Sequence, residues 1–113
     1  MSECLFCRIA SKEIKSDIVY EDDKVIAFND IDPKAPVHIL IIPKKHIPTF
    51  IDIKGEDIDL VSHIHQVLIN IASEKKLSDG FRVIVNCGAK AGQSVYHLHF
   101  HLLAGRKMLW PPG

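Results

Sequence analysis

Polar and apolar residues alternate with a period of two through His97-Leu98-His99-Phe100-His101-Leu102-Leu103, which Ala104-Gly105 closes. Successive side chains of a β-strand point to opposite faces. As a strand, this run places His97, His99 and His101 on one side and Leu98, Phe100 and Leu102 on the other, the imidazoles spaced about 7 Å apart. Ile18–Tyr20 and Val25–Asn29 flank the polar turn Glu21-Asp22-Asp23 and predict a hairpin. Val37–Ile42 is apolar apart from His38, rich in branched residues and bounded by Pro36 and Pro43, which predicts a central strand covered on both faces. Phe81–Asn86 predicts a further strand, joined to the histidine run by the loop 87–94.

Helical periodicity dominates Asp57–Lys75. Val67, Leu60, Ile71, Ile64, Leu68, Val61, Ala72, Ile58 and Ile69 fill an arc of roughly 200°, wider than the stripe of a helix lying on one core. A second copy of the chain is the simplest cover for the surplus, since C2 dimers are the commonest assembly. His65 falls inside the arc and is expected to pack; His63 lies on the polar side and is expected in solvent. Cys4–Ala10 predicts a short helical turn with Leu5, Phe6 and Ile9 as its apolar positions. The sum is one α+β domain, residues 1–113, with a mainly antiparallel five-stranded sheet, one long helix and a short N-terminal helix.

Composition narrows the partners. Fourteen basic residues balance fourteen acidic ones, so no global field draws the chain to nucleic acid or to a membrane surface, while a small anion held by local groups stays open. Met1-Ser2-Glu3-Cys4 shows no basic segment leading into an apolar run, and no stretch reaches the roughly 20 apolar residues of a membrane span. Three cysteines, two of them three positions apart, do not make a disulfide framework; a reducing cytoplasm is the expected location.

Three readings compete for the histidine row: a metal site, a nucleophile with helpers, and satisfied structural histidines. Same-face neighbours on one strand diverge, so a metal would need ligands from elsewhere. For nucleophilic catalysis the middle ring, His99, is the natural choice, because neutral imidazole attacks phosphorus without first losing a proton and its neighbours can hold an oxyanion. In the preceding loop, Gly88 and Gly92 either aim backbone N–H groups into an anion nest or only serve the turn. Gln93 and Ser94 add an amide and a hydroxyl, and Ser94 is placed to protonate a leaving group. His38 is a satisfied core residue or a fourth imidazole of the site; Asp30 is a turn aspartate or an acceptor for a ribose diol. Cys4 and Cys7 are half a zinc site or two buried thiols, with His46 and His97 unassigned as further ligands. Lys90 is expected in solvent and Cys87 in the core.

The run His97–Leu103 matches the His-φ-His-φ-His-φ-φ signature of the histidine triad (HIT) superfamily. Resemblance extends over Cys4–Ala10, Ile18–Asp23, Phe28–Ile31, Ala35–Ile47 and Gly92–Tyr96, and the ending Gly105–Gly113 is similar to the Hint branch, the histidine triad nucleotide-binding proteins. The resemblance implies a homodimer with one sheet continuous across two subunits. It also implies hydrolysis of purine nucleoside phosphoramidates, of the AMP–amine and AMP–lysine type, through a nucleotidyl-histidine intermediate on His99, and binding of AMP or GMP. By matching position, His101 and His38 assist at the phosphate, with Ser94 and Gln93 serving phosphate and leaving group. Asn86 supports the loop and phosphate, Asp30 the ribose, and Gly92 and Val95 lie within the matched nucleotide-binding stretch. Phe6, Phe28 and Ile31 flank the base, and Trp110 lies near the site, that of its own chain or of the partner, where it bears on substrate choice. Catalysis needs no cofactor on this reading. The Cys4/Cys7 pair departs from animal Hint proteins and resembles certain bacterial members and the galactose-1-phosphate uridylyltransferases. That implies a structural zinc on Cys4, Cys7, His46 and His97, with His97 positioning its strand.

Overall fold

The structure is a computed structural model that describes residues 3–113; Met1 and Ser2, on which the reading of a leader-free start partly rests, lie outside the described residues. Five strands, β1 (Ile18–Glu21), β2 (Val25–Asn29), β3 (Val37–Pro43), β4 (Arg82–Ile84) and β5 (Phe100–Ala104), form one antiparallel sheet in the order β1-β2-β3-β5-β4. The helices are α1 (Leu5–Ala10) and α2 (Ile58–Glu74); short 3-10 turns cover Phe50–Asp52, Gly55–Asp57 and Ala89–Ala91.

Period-two patterning divides the core into two layers. Val25 and Ala27 of β2, Ile39 and Ile41 of β3, and Phe100 and Leu102 of β5 join Ile64, Val67, Leu68 and Ile71 of α2. Ile26, Phe28, Leu40 and Ile42 point the other way and pack with Phe6 and Ile9 of α1. β3 is therefore covered on both faces, as its apolar run predicts. His101 shares the α1 side with Leu40, its partner across the ladder. Pairing of His38 with Leu103 sets His38 one diagonal step from His101 on that same side.

Local chemistry explains the element ends. Asp22 Oδ1 accepts the N–H of Lys24 and of Val25, each at 2.8 Å, which turns the chain between β1 and β2. Gly105 has φ +93, and a Cβ there would meet Pro36 Cβ at 2.8 Å, so only glycine fits where β5 ends.

Several local expectations change. Leu5 is exposed while Phe6 and Ile9 are buried. Backbone pairing of the histidine strand begins at Phe100, so His97 and His99 precede the ladder although their alternation holds. His63 is half-buried and its Nε2 donates to Asp22 Oδ2 at 2.6 Å, whereas His65 is exposed. As its wide arc predicts, the long helix puts only part of its apolar residues on the sheet, and Ile58 and Ile69 stay exposed in the single chain. Cys87 is half-buried rather than a core residue, and Lys90 is in solvent.

Candidate active site

The imidazoles meet on the α1 side of the sheet. Ring centroids of His99 and His101 lie 5.0 Å apart, and those of His38 and His101 5.2 Å. Backbone groups decide where the protons sit. The Lys34 N–H donates to His38 Nδ1 at 3.0 Å, so the neutral ring carries its hydrogen on Nε2. That Nε2–H faces His101 Nδ1 at 2.9 Å and leaves His101 with its hydrogen on Nε2. His101 Nε2 is buried and has no hydrogen-bond partner among the described residues, which makes it an idle donor. His99 Nδ1–H donates to the His97 carbonyl at 2.7 Å, so Nε2 of His99 keeps its lone pair.

Burial pushes the His101 imidazole down to about 4, with help from neighbouring His99 and His38. Burial also lowers His38; Asp30, whose Oδ2 lies 3.4 Å from Nε2, works against it. Both rings are thus neutral near pH 7, as the hydrogen-bond chain requires.

Two cavities share Asp30 and His101 as a wall. The inner one, about 310 Å³, is lined by Phe6, Ile9, Ile14, Phe28, Leu40 and Val95, with His99 and Ser94 at its polar end. The outer one, about 850 Å³, takes in His38, Asn86, Arg82, Trp110 and the Asp32–Lys34 ion pair. Ile31, fully exposed by itself, stands at the inner cavity's edge. Among the expected site residues, Asp30, Ile31, Phe6, Phe28, Val95, Ser94, His99 and His101 thus come together around the inner cavity, and Asn86, Trp110 and His38 around the outer.

Gln93 has a different post. Its Oε1 accepts the Gly88 N–H at 2.8 Å, and its Nε2 donates to the carbonyls of Pro48 and Val95. The buried amide is fully engaged in bracing the loop, and Gly92 at φ +97 supplies the left-handed turn beside it. Arg82 was not singled out in the sequence; its isolated place in an apolar strand was the available signal. Its guanidinium donates to the Leu109 carbonyl at 3.0 Å and so ties the tail carrying Trp110 to β4.

A second cluster adjoins the first. One donor atom each from Cys4, Cys7, His46 and His97 lies within 4.8 Å of the others. His97 Nδ1 is 3.3 Å from Cys4 Sγ, 3.5 Å from Cys7 Sγ and 3.2 Å from His46 Nδ1. A tetrahedral zinc ion would space such donors roughly 3.3–3.8 Å apart, so the set fits a four-coordinate N2S2 site. His97 Nε2–H donates to the Pro43 carbonyl at 2.7 Å, which reserves the Nδ1 lone pair for a ligand bond. Burial pushes this imidazole down to about 4, with His46 and His99 adding to the effect, so it is neutral as a ligand must be. Asp30, His38 and His101 also bring donor atoms within 4.8 Å. There the Lys34 N–H keeps the His38 hydrogen on Nε2, and the group is a hydrogen-bond chain rather than a ligand set.

An alternating histidine run whose His99 and His101 line one cavity, with His97 turned to an adjoining cysteine–histidine cluster, is the pattern of the histidine triad proteins. The comparisons agree: residues 3–110 match the family model described as "Scavenger mRNA decapping enzyme C-term binding". An uncharacterised HIT-like protein of Synechococcus elongatus is 47% identical over 114 residues, covering 100% of both chains. The crystal structure of a HIT family hydrolase from Legionella pneumophila superposes with a TM-score of 0.96 at 48% identity, covering 98% of this chain and 100% of that one. A histidine triad protein from Clostridium difficile gives 0.93 at 55% identity, over 96% of each chain. The chain belongs to the HIT superfamily.

Proposed function

We propose that the protein is a purine nucleoside phosphoramidase of the Hint branch, releasing an amine and a nucleoside monophosphate, AMP or GMP, through a nucleotidyl-histidine intermediate. One observation carries this reading: the His99 hydrogen bond to the His97 carbonyl, which leaves a nucleophilic Nε2 beside the inner cavity. Purine and ribose occupy the apolar cavity, the base against Phe6, Phe28, Ile31 and Val95 and the ribose diol on Asp30. His99 Nε2 attacks phosphorus and the P–N bond to the amine breaks. The leaving nitrogen takes its proton through the exposed Ser94 hydroxyl, which solvent refills. Water then attacks phosphorus, the P–Nε2 bond breaks, a proton passes to solvent and neutral His99 returns. His101 Nε2–H, held by His38, donates to a phosphoryl oxygen throughout.

The test is to rapid-quench the protein with a fluorogenic adenosine phosphoramidate and map the adduct by peptide mass spectrometry. A nucleotide on His99 is expected; an adduct on another residue, or none during turnover, overturns the mechanism. Cleavage of P–O–P bonds in dinucleoside polyphosphates, or of acyl-adenylates, is the second reading, favoured by the decapping-enzyme description of the matching family model. A kcat/KM higher by orders of magnitude for those substrates would establish it. Tight AMP binding with no turnover of any such bond would instead make the protein a nucleotide-binding interaction module.

The same reading includes a structural zinc on Cys4, Cys7, His46 and His97, supported by the donor spacing, and no cofactor in the chemistry itself. It includes a homodimer, supported by the unpaired outer edge of β4 and by the exposed Ile69, Phe81 and Val83. Among the described residues no helix is long and apolar enough to cross a membrane. We place the protein in the cytoplasm, with small nucleotides rather than nucleic acid or membranes as its partners.

A further inference from the structure

Phe6 sits in the one helical turn that joins Cys4 to Cys7, and its ring touches both histidine systems. Its centroid is 5.0 Å from that of His99, edge-on at 89°, 6.1 Å from His97 and 5.6 Å from Phe28. The ring is 5% exposed and forms part of the inner cavity wall. Cys4 also caps the helix, its Sγ accepting the Cys7 N–H at 3.4 Å, so the turn that carries Phe6 is built by the two cysteines. From the other side, His97 offers Nδ1 to the four-donor cluster and its carbonyl to His99 Nδ1–H. The segment between them is held by the Leu98 N–H on the Ile47 carbonyl and by His97 Nε2–H on the Pro43 carbonyl.

We propose that the N2S2 cluster, when it holds zinc, positions the nucleophile and the base wall together: Phe6, through the Cys4–Cys7 turn, and His97, through its carbonyl, fix the ring plane and tautomer of His99. Phe6 is then a positioning residue as well as a wall of the pocket. The inference rests on the phosphoramidase reading for the role of His99, but its central measurements need only the metal and AMP. Coupling of this kind is reciprocal: whatever factor the metal adds to nucleotide affinity, the nucleotide adds to metal affinity.

The experiment uses the full chain loaded with zinc or with Co2+, whose visible absorption reports thiolate and imidazole ligation. Addition of AMP is expected to shift the Co2+ band, and removal of the metal to weaken AMP binding about tenfold. Nitrogen NMR of the His99 ring is expected to show one tautomer with zinc and a mixture without it. Phe6→Leu keeps an apolar wall and all four donors; it should bind one metal ion per chain and lower kcat about tenfold, with Phe6→Tyr restoring most of the loss. A Co2+ band indifferent to AMP, a single His99 tautomer in the stripped protein, or a Phe6→Leu variant with unchanged kcat would each overturn the proposal. So would a protein that takes up no zinc. If the stripped chain unfolds, the Phe6→Leu comparison decides. Failure of the phosphoramidase reading shows up separately, as wild-type protein that binds metal and AMP with coupled affinities yet cleaves no P–N bond.

Discussion

His97, His99 and His38 each commit one ring nitrogen to a backbone group, namely the Pro43 carbonyl, the His97 carbonyl and the Lys34 N–H. Each remaining nitrogen thereby acquires a fixed character, which a side-chain partner with its own rotamers would secure less firmly. His99→Ala is expected to abolish turnover while AMP affinity stays within about tenfold, or 1.4 kcal/mol, since the base and ribose contacts persist; single-turnover kinetics and calorimetry check both halves, and retained turnover removes His99 from the mechanism. His101 also makes a stability prediction. Its folded imidazole titrates near 4, below the ordinary histidine value of about 6.5, so the unfolded chain takes up the proton first. The stability associated with its neutral, buried form is complete above about pH 6.5 and is lost as pH falls from there towards 4. Urea midpoints across that window should fall more steeply for wild type than for His101→Gln; equal slopes would contradict the assignment. Alternation revealed His97, His99 and His101 from sequence, and His38 stood out as the one polar position of an apolar strand. Their tautomers stayed hidden because they depend on which backbone group the fold turns toward each ring, a near neighbour for His99 and His38 and the end of β3 for His97. The bracing role of Gln93 stayed hidden because its sequence gives no sign that Gly88, Pro48 and Val95 converge on it.

At the level of elements, the β1–β2 hairpin is tied to α2 through one carboxylate. Asp22 receives the Tyr20 hydroxyl and His63 Nε2–H, each at 2.6 Å, besides two backbone N–H groups. Its partial burial works upward on the acid, but these hydrogen bonds outweigh it and hold the carboxyl well below the usual carboxylate range. The stabilisation is therefore full above about pH 4, the ordinary aspartate value, and drains away as pH falls below it. Asp22→Ala should cost about 1–3 kcal/mol at pH 7 by chemical denaturation, with much of the difference gone in strong acid. The turn itself was legible from Glu21-Asp22-Asp23, but the His63 link was not, because helical periodicity assigns a residue to a face without saying which loop lies over it. The helix arc gives the opposite lesson: its excess width correctly signalled apolar surface beyond the needs of one sheet. Ile69→Asp, at a position 40% exposed, should leave the monomer folded and dissociate the proposed dimer in sedimentation velocity; a surviving dimer would move the interface elsewhere.

For the whole molecule, five strands and two helices could be read from patterning, yet their order in the sheet could not. β5 enters between β3 and β4, an arrangement set by how α2 and the loop after β4 return the chain, and these are long-range packing choices. That insertion brings His101 beside His38 and, with the Cys4–Cys7 turn, closes the metal-donor cluster around His97. The four donors come from α1 and its N-cap, the segment after β3 and the segment before β5, so spacing in sequence revealed only the cysteine half.

The wall that Asp30 and His101 share gives the molecule two doors. On the proposed mechanism the nucleotide stays moored behind the narrow one, with its phosphorus at the shared wall and so open to the wide one past Trp110. Under that mechanism the wide doorway admits the acceptor, and because nothing about its breadth selects for water, other small nucleophiles are expected to gain entry on the same terms.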